Sequence, residues 1–330
     1  MMRNVAVLGA TGLVGQEVIK ILEQRNFLMD ELFPFASERS EGQKVIFRDR
    51  EFDILAEYES FLDKADIVFG CLDTDLSREI VPKFAGRSVV IDNSAAYRED
   101  PDVPLVIPEV NPQRIKEHKG IIANPNCSTI QMLVPLWPLH KKFKIRRIFV
   151  ATYQSVSGYG KDAIEELQLE HEYLAMGVNI EKFPESVFPH PIGANVIPQI
   201  GDFDEAGYTK EENKMINETR KIFEDNGILV SPTCVRVPVL ISHSEAVSID
   251  LEQPVSVNEA KELLKTAPGV VVLEEDKDYP VPVQCACRDE VFVGRIRKDP
   301  AFENGLAMWI VADNVRKGAA LNAVQIAELL

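Results

Sequence analysis

Through the first third of the chain, short β-branched apolar runs alternate with stretches spaced for a helix. Residues 4–8 read as a buried strand that enters the glycine turn Gly9-Ala-Thr-Gly12-Leu-Val-Gly15. Gln16 to Gln24 then has helical spacing through Leu13, Val14, Val18, Ile21 and Leu22. Residues 32–36, 65–72, 88–92 and 120–123 predict further strands, and 75–84 a helix between two of them. Strands alternating with helices from the first residues predict an α/β fold with a Rossmann-type, doubly wound parallel sheet.

Beyond Cys127 the pattern changes. Strands are expected over 145–156, 234–241, 245–251, 291–296 and 305–311, and amphipathic helices over 160–176 and 208–224. Regular βα alternation is lost, so this part reads as an α+β domain on a mixed or antiparallel sheet. A final helix over 314–330 is expected to return to the first domain. The boundaries that follow are 1–126, completed by 312–330, and 127–311. Segment 177–203, rich in proline, fits no regular element.

Composition narrows the possibilities. A chain of 330 residues suits two domains, and 45% hydrophobic with 27% charged residues is near the globular average. A net charge of −16 argues against nucleic acid or an anionic membrane as partner. An anionic substrate must therefore meet a local cluster of Arg and Lys. The N-terminus reads as a strand rather than a signal peptide, and no apolar run reaches a membrane span. Five cysteines make an odd count, with only Cys285 and Cys287 closely spaced. That pair lacks further ligands, so structural strand residues are expected there and no metal site. A reduced, cytoplasmic protein is expected.

Two stretches carry candidate chemistry. Gly9, Gly12 and Gly15 lie between strand and helix, where glycines let main-chain N–H groups approach a pyrophosphate; Thr11, Leu13 and Val14 complete that turn. After the second strand come Ser37, Glu38, Arg39 and Ser40. Glu38 is the kind of acid that suits the ribose of NAD. Arg39 with two serines suits the 2′-phosphate of NADP, and NADP is expected. The second stretch is Asn124-Pro-Asn-Cys127-Ser-Thr129 ahead of an apolar run, which places Cys127 at a helix N-terminus, where a thiolate is favoured.

Downstream lie TYQSVSGYG (152–160), EENK (211–214), RVPV (236–239) and SHSE (242–245). With GATGLVG (9–15), SERS (37–40), DNSAAYR (92–98) and NPNCST (124–129), they make the chain resemble the aspartate-semialdehyde dehydrogenase family nearly end to end. The resemblance implies NADPH-dependent reductive dephosphorylation of L-aspartyl 4-phosphate to L-aspartate 4-semialdehyde, in the biosynthesis of lysine, diaminopimelate, threonine and methionine. It implies Cys127 as the nucleophile that becomes an acyl-thioester, His243 as acid/base, and Gln154 as the residue that orients substrate. Arg236 would grip the α-carboxylate, Glu211 the α-ammonium, and Arg98 with Lys214 the phosphate. Ser157, Gly158 and Asn314 would face the nicotinamide. The second domain would bury a dimer face, in a homodimer or homotetramer.

Simpler readings stand beside these. Glu211 and Lys214 have the spacing of a surface ion pair, His243 could be a satisfied strand histidine, and Arg98 could pair with its acidic neighbours. An N-acetyl-glutamyl-phosphate reductase would share the fold and the Cys–His logic. Its acylated substrate nitrogen has no use for Glu211 facing Arg236, and its cysteine turn contains glycine. A non-catalytic NADP-binding paralogue should have lost Cys127 or His243.

Overall fold

The computed structural model describes residues 3–182, 186–273 and 278–330. Met1 and Met2 of the N-terminal run, and 183–185 of the 177–203 segment, lie outside the described residues. The chain opens with β1 (Arg3–Leu8), α1 (Leu13–Gln24) and β2 (Met29–Phe35), followed by a hairpin of β3 (Lys44–Phe47) and β4 (Arg50–Asp53). Next come β5 (Ile67–Gly70), α2 (Thr74–Phe84), β6 (Val89–Asp92) and β7 (Ile121–Ala123). The middle of the chain holds α3 (Cys127–Phe143), β8 (Ile145–Gln154), α4 (Lys161–Ala175), α5 (Lys210–Phe223), β9 (Leu229–Arg236) and β10 (His243–Leu251). Then follow α6 (Val257–Lys265), β11 (Val270–Val272), α7 (Pro282–Cys285), β12 (Val291–Asp299), β13 (Gly305–Ala312) and α8 (Leu321–Glu328).

Two compact units result: residues 1–126 with 318–330, and residues 127–317. The first holds a five-stranded parallel sheet in the order β2-β1-β5-β6-β7. Chain order reverses at β1, the switch point where such sheets bind nucleotides outside their carboxyl ends. Val18, Ile21 and Leu22 of α1 bury against Leu321, Val324 and Ile326 of α8, so the last helix completes this core. That helix starts at Leu321 rather than 314, because a π-helical turn occupies Arg316–Ala320.

The second unit is a six-stranded mixed sheet, β11-β12-β13-β10-β8-β9. Strand β10 lies antiparallel to both β13 and β8, whereas β8 and β9 run parallel. Helix α3 packs across β8, β10, β12 and β13. It is buried on most sides, which carries it through Pro135 and Pro138 despite the lost N–H groups. The other sheet face leaves Phe149, Tyr153 and Leu229 exposed.

Two sequence expectations are corrected here. The strand placed over 234–241 runs instead over Leu229–Arg236, since its partner β8 ends at Gln154, opposite Arg236. Cys285 and Cys287 are not strand residues: Cys285 ends the short helix α7, and Cys287 sits at φ +63° in the following turn. Among the described residues no helix is long and apolar enough to cross a membrane.

Candidate active site

Strand register places the chemistry. Gln154 and Arg236 are paired at the ends of the parallel strands β8 and β9. Ser244 of antiparallel β10 pairs with Tyr153, so His243 begins its strand at the same sheet edge. Ala312, the last residue of β13, pairs with His243, and Asn314 follows two residues on. Helix α3 brings Cys127, half-buried, at its N-terminus. Four elements thus deliver Cys127, Gln154, Arg236 and His243 within one unit.

Hydrogen bonds hold each side chain in a defined state. The Ser155 main-chain N–H donates to His243 Nδ1 at 3.0 Å, while Ser155 Oγ donates to Asn314 Oδ1 at 3.0 Å. Because an amide N–H only donates, Nδ1 is the acceptor and Nε2 carries the proton of the neutral ring. Asn314 Oδ1 also accepts from the Ser242 N–H at 2.9 Å, and Asn314 Nδ2 donates to Ser157 Oγ at 3.0 Å. Ser242 lies at φ +79°, a strained position that this bond holds as the chain turns into β10. Thr152 Oγ1 donates to Gln154 Oε1 at 3.0 Å, which turns Gln154 Nε2 toward Glu211 Oε1, also at 3.0 Å. Lys214 Nζ reaches the other oxygen of Glu211 at 3.0 Å. The pair expected from i,i+3 spacing is therefore formed, with Glu211 almost fully buried.

Charge is concentrated on Arg236, which is 3% exposed. Its Nη1 donates to the Ser155 carbonyl at 2.6 Å, and its guanidinium lies 5.9 Å from the Phe188 ring centre. Burial pushes its pKa down, opposed first by Glu211 and then by Cys127, which lies within its electrostatic reach. A cation and a helix N-terminus beside one cysteine are the surroundings that favour a nucleophilic thiolate. His243 is held neutral: burial, then the Arg236 charge, lowers its pKa from 6.5 to about 3. An imidazole titrating near neutrality, expected from the residue type alone, is not found in this environment. Its N–H nonetheless remains a hydrogen-bond donor to the site.

A cavity of about 240 Å³ opens beside Arg236, lined by Tyr159, Phe188, Gln199, Ile200 and Gly201 among others. Most of this wall comes from the 177–203 segment that no sequence pattern had interpreted. The segment is anchored by two buried glutamates of α4. Glu166 accepts from Ser186 and from the Val187 N–H, and Glu170 from the Gly193 N–H. Its apolar residues Phe188, Ile192 and Ile197 pack with Val156, Ala163 and Leu167. Thr152 and Ser155, also passed over, are legible only once strand alternation and the neighbouring turn are known.

Gly158 closes the site on another side. A Cβ placed there would lie 3.0 Å from Arg236 Nη1 and 3.3 Å from His243 Nε2. Gly158→Ala is therefore expected to lower kcat/KM by about 10- to 100-fold, with a melting temperature close to that of the parent, because small displacements of reacting groups are costly. Steady-state kinetics beside a thermal melt checks this.

The first unit carries the remaining predicted residues. Gly9 lies at φ +78°, where a Cβ would meet the Cys71 carbonyl oxygen at 2.3 Å; a Cβ on Gly15 would meet the Gly9 oxygen at 2.2 Å. Gly12 caps α1 with no side-chain bond, and no acidic residue occupies the first turn. Main-chain N–H groups at Leu13, Val14 and Gly15 are thus left for an anion, which suits a dinucleotide phosphate. Ser37 precedes a 3-10 turn at Glu38–Ser40, Arg39 is exposed, and Thr11 Oγ1 lies 3.3 Å from Ser40 Oγ. Arg98 is buried and donates to the Asn93 carbonyl at 2.7 Å. Its loop is pinned by Asp92, which accepts from Ser77 at 2.5 Å and Ser94 at 2.6 Å.

A helix-terminal cysteine beside a buried arginine and a neutral histidine suits covalent catalysis at an acyl carbon, and the nucleotide-type sheet suits a dinucleotide cofactor. The family model for the semialdehyde dehydrogenase NAD binding domain matches residues 4–118, and that for the dimerisation domain residues 136–317. The chain is 54% identical over 333 residues to the aspartate-semialdehyde dehydrogenase of Aquifex aeolicus, covering 99% of this chain and 97% of that protein. The crystal structure of aspartate semialdehyde dehydrogenase II from Vibrio cholerae, complexed with ASA, superposes with a TM-score of 0.97 at 46% identity, over 100% of this chain and 98% of that one. The enzyme from Candida albicans, solved with NADP, gives a TM-score of 0.78 at 28% identity over 100% and 98%. The chain belongs to the aspartate-semialdehyde dehydrogenase family.

Proposed function

We propose that this protein reduces L-aspartyl 4-phosphate to L-aspartate 4-semialdehyde and phosphate with NADPH, through a Cys127 acyl-thioester, in aspartate-family amino-acid biosynthesis. The observation that carries the reading is the buried Arg236, within electrostatic reach of both Cys127 and Glu211. An amino-acid substrate brings a carboxylate for Arg236 and an ammonium for Glu211, with its side-chain acyl group left for the Cys127 sulfur.

The chemistry follows from these groups. Cys127 attacks the acyl carbon, and the C–O bond to phosphate breaks once the tetrahedral oxyanion collapses. His243 Nε2–H and main-chain N–H groups at the start of α3 stabilise that oxyanion. Bound NADPH supplies the hydride. Collapse of the resulting hemithioacetal oxyanion returns the Cys127 thiolate and frees the aldehyde. Held neutral by burial and by Arg236, His243 serves through its Nε2–H, which donates to the oxyanion and then to the oxygen of the departing phosphate. Gln154, tied to Thr152 and Glu211, orients the substrate amino end, while Arg98 and Lys214 receive the phosphate. The turn from Gly9 to Gly15, with Thr11, would hold the dinucleotide phosphates, and Ser37, Arg39 and Ser40 the 2′-phosphate. Ser157, Gly158 and Asn314 shape the nicotinamide end; Ser157 and Asn314 use their side chains chiefly on one another. Residues 1–126 with the C-terminal helix serve as the NADP-binding domain, and the remainder as the catalytic and dimerisation domain. A homodimer or homotetramer would cover the apolar sheet face at Phe149, Tyr153 and Leu229. Five free cysteines suit a reducing cytoplasm.

The test runs the reaction in reverse, following NADPH absorbance with L-aspartate semialdehyde, phosphate and NADP, and with NAD in parallel. Phosphate-dependent reduction of NADP, faster than of NAD, is expected. Activity with N-acetyl-glutamate semialdehyde alone would overturn the substrate and keep the mechanism. Silence with both, in protein that binds NADP, would indicate a non-catalytic paralogue. Arg236→Lys should raise KM for the semialdehyde about 10- to 100-fold with a smaller change in kcat, since lysine cannot form the bidentate carboxylate pair. An unchanged KM removes Arg236 from the substrate site.

A further inference from the structure

One buried acid in the catalytic unit has no part in the chemistry above. Glu245 is fully buried, two residues past His243 on β10, so both side chains point to the same sheet face. Gln131 lies one helical turn beyond Cys127 on α3, on the face the nucleophile occupies, and is also fully buried. Its Nε2 donates to the His243 carbonyl at 3.5 Å, so this amide ties the nucleophile's helix to the histidine's main chain. Three polar atoms here find no hydrogen-bond partner of ordinary geometry among the described residues: Gln131 Oε1, Glu245 Oε1 and Glu245 Oε2.

Donor accounting decides how they can be satisfied. All three atoms are acceptors as long as Glu245 is ionised, and a buried acceptor without a donor is costly. Gln131 Nε2 carries two N–H groups, one for the His243 carbonyl and one for a single Glu245 oxygen, and its Oε1 is left to accept from the other. One proton on the carboxyl turns this set into a chain, Glu245 O–H to Gln131 Oε1, then Gln131 Nε2–H to the His243 carbonyl. Titratable or charged groups near this pair include Cys127 on α3, His243 on the same strand, Arg236 and Cys234 on β9, and Glu211 and Glu212 on α5, which act with Glu245 on Cys234. None of them donates to Glu245.

We propose that Glu245 is a neutral carboxylic acid in the working enzyme, and that with Gln131 it forms a positioning pair beneath the catalytic residues, holding His243 in place against the Cys127 helix. The proposal rests on the reading of Cys127 and His243 as the reacting pair. Burial independently drives the carboxyl pKa well above its usual value, and the Gln131 side chain opposes it only in part. Neutrality also fits the chemistry, because a carboxylate there would repel a Cys127 thiolate and the oxyanion formed on it.

The experiment compares wild type, Glu245→Gln and Gln131→Met. A neutral acid in the fold must ionise on unfolding above about pH 4.5, so the Glu245 contribution to wild-type stability falls as pH rises, a contribution that Glu245→Gln lacks. The melting temperature of Glu245→Gln is therefore expected to gain on wild type steadily from about pH 5 to pH 8. A gap that is flat or moves the other way overturns the neutral acid. That arm needs no substrate, so it stands apart from any failure of the proposed reaction. In turnover, Glu245→Gln supplies an N–H to Gln131 Oε1 and should keep kcat within about threefold, whereas Gln131→Met should lower kcat about tenfold with KM within twofold. Full kcat in Gln131→Met, or loss of kcat in Glu245→Gln, overturns the positioning role.

Discussion

Cys127→Ala is expected to abolish phosphate-dependent NADP reduction, by about 10⁴-fold or more, while NADPH binding and the melting temperature stay close to wild type. The size follows from the number of steps that pass through sulfur: attack on the acyl group, storage of the thioester, and expulsion from the hemithioacetal. Arg236 and the N-terminus of α3 can polarise a carbonyl, but neither can form that covalent bond. Binding survives because the glycine turn that would hold the dinucleotide phosphates belongs to the first unit, residues 1–126 with 318–330. The side chain is half-buried at the first residue of α3, so alanine leaves no large cavity. Burst and steady-state kinetics, with a fluorescence titration of NADPH, check both halves. Turnover within tenfold of wild type would end the thioester mechanism, since Cys234, the other cysteine within electrostatic reach of Arg236, is fully buried with its thiol against Met215.

What was legible beforehand follows from how local each signal is. The parallel sheet, the glycine turn and the helix beginning at Cys127 are written in short windows, by β-branched runs and by a Pro/Asn turn ahead of apolar spacing. The residues of the candidate site were found as motifs, yet their connections were not. Ser155 and Asn314 are 159 positions apart and meet through strand pairing, whereas Gln131 and His243, 112 apart, meet through the packing of α3 on β10. Strand β9 was misplaced because Val237, Val239 and Ile241 look as β-forming as Val235, and the end of its partner β8 at Gln154 decides the matter. The 177–203 segment was opaque for a different reason. It has no period of its own and takes its shape from Glu166 and Glu170 on α4, acids that look like ordinary helix-surface residues until their partners are known. Protonation states were the least legible, since the imidazole of His243 and the carboxyl of Glu245 are set by burial and by groups far along the chain.

His243→Asn should cost about 10²- to 10⁴-fold in kcat with little change in KM, and it separates the ring's two nitrogens. Asparagine places an oxygen near the position of Nδ1, so the Ser155 N–H keeps an acceptor and the turn into β10 is preserved. Nothing in asparagine reaches as far as Nε2, so the donor to the oxyanion is lost. If His243 served only to satisfy Ser155, this variant would remain active, which makes kcat the deciding quantity. A pH series adds an independent check. The folded pKa of about 3 lies below the unfolded value of 6.5, so between the two the unfolded chain holds a proton that the fold does not. The His243 contribution to wild-type stability is then lost as pH falls through that window, while the asparagine variant lacks this contribution. The variant's melting temperature should therefore compare more favourably with wild type near pH 5 than at neutral pH. A difference that stays constant across the window would mean that His243 is already charged in the fold. In that case Nδ1 could not be accepting from Ser155, and the neutral donor assigned to Nε2 would have to be given up.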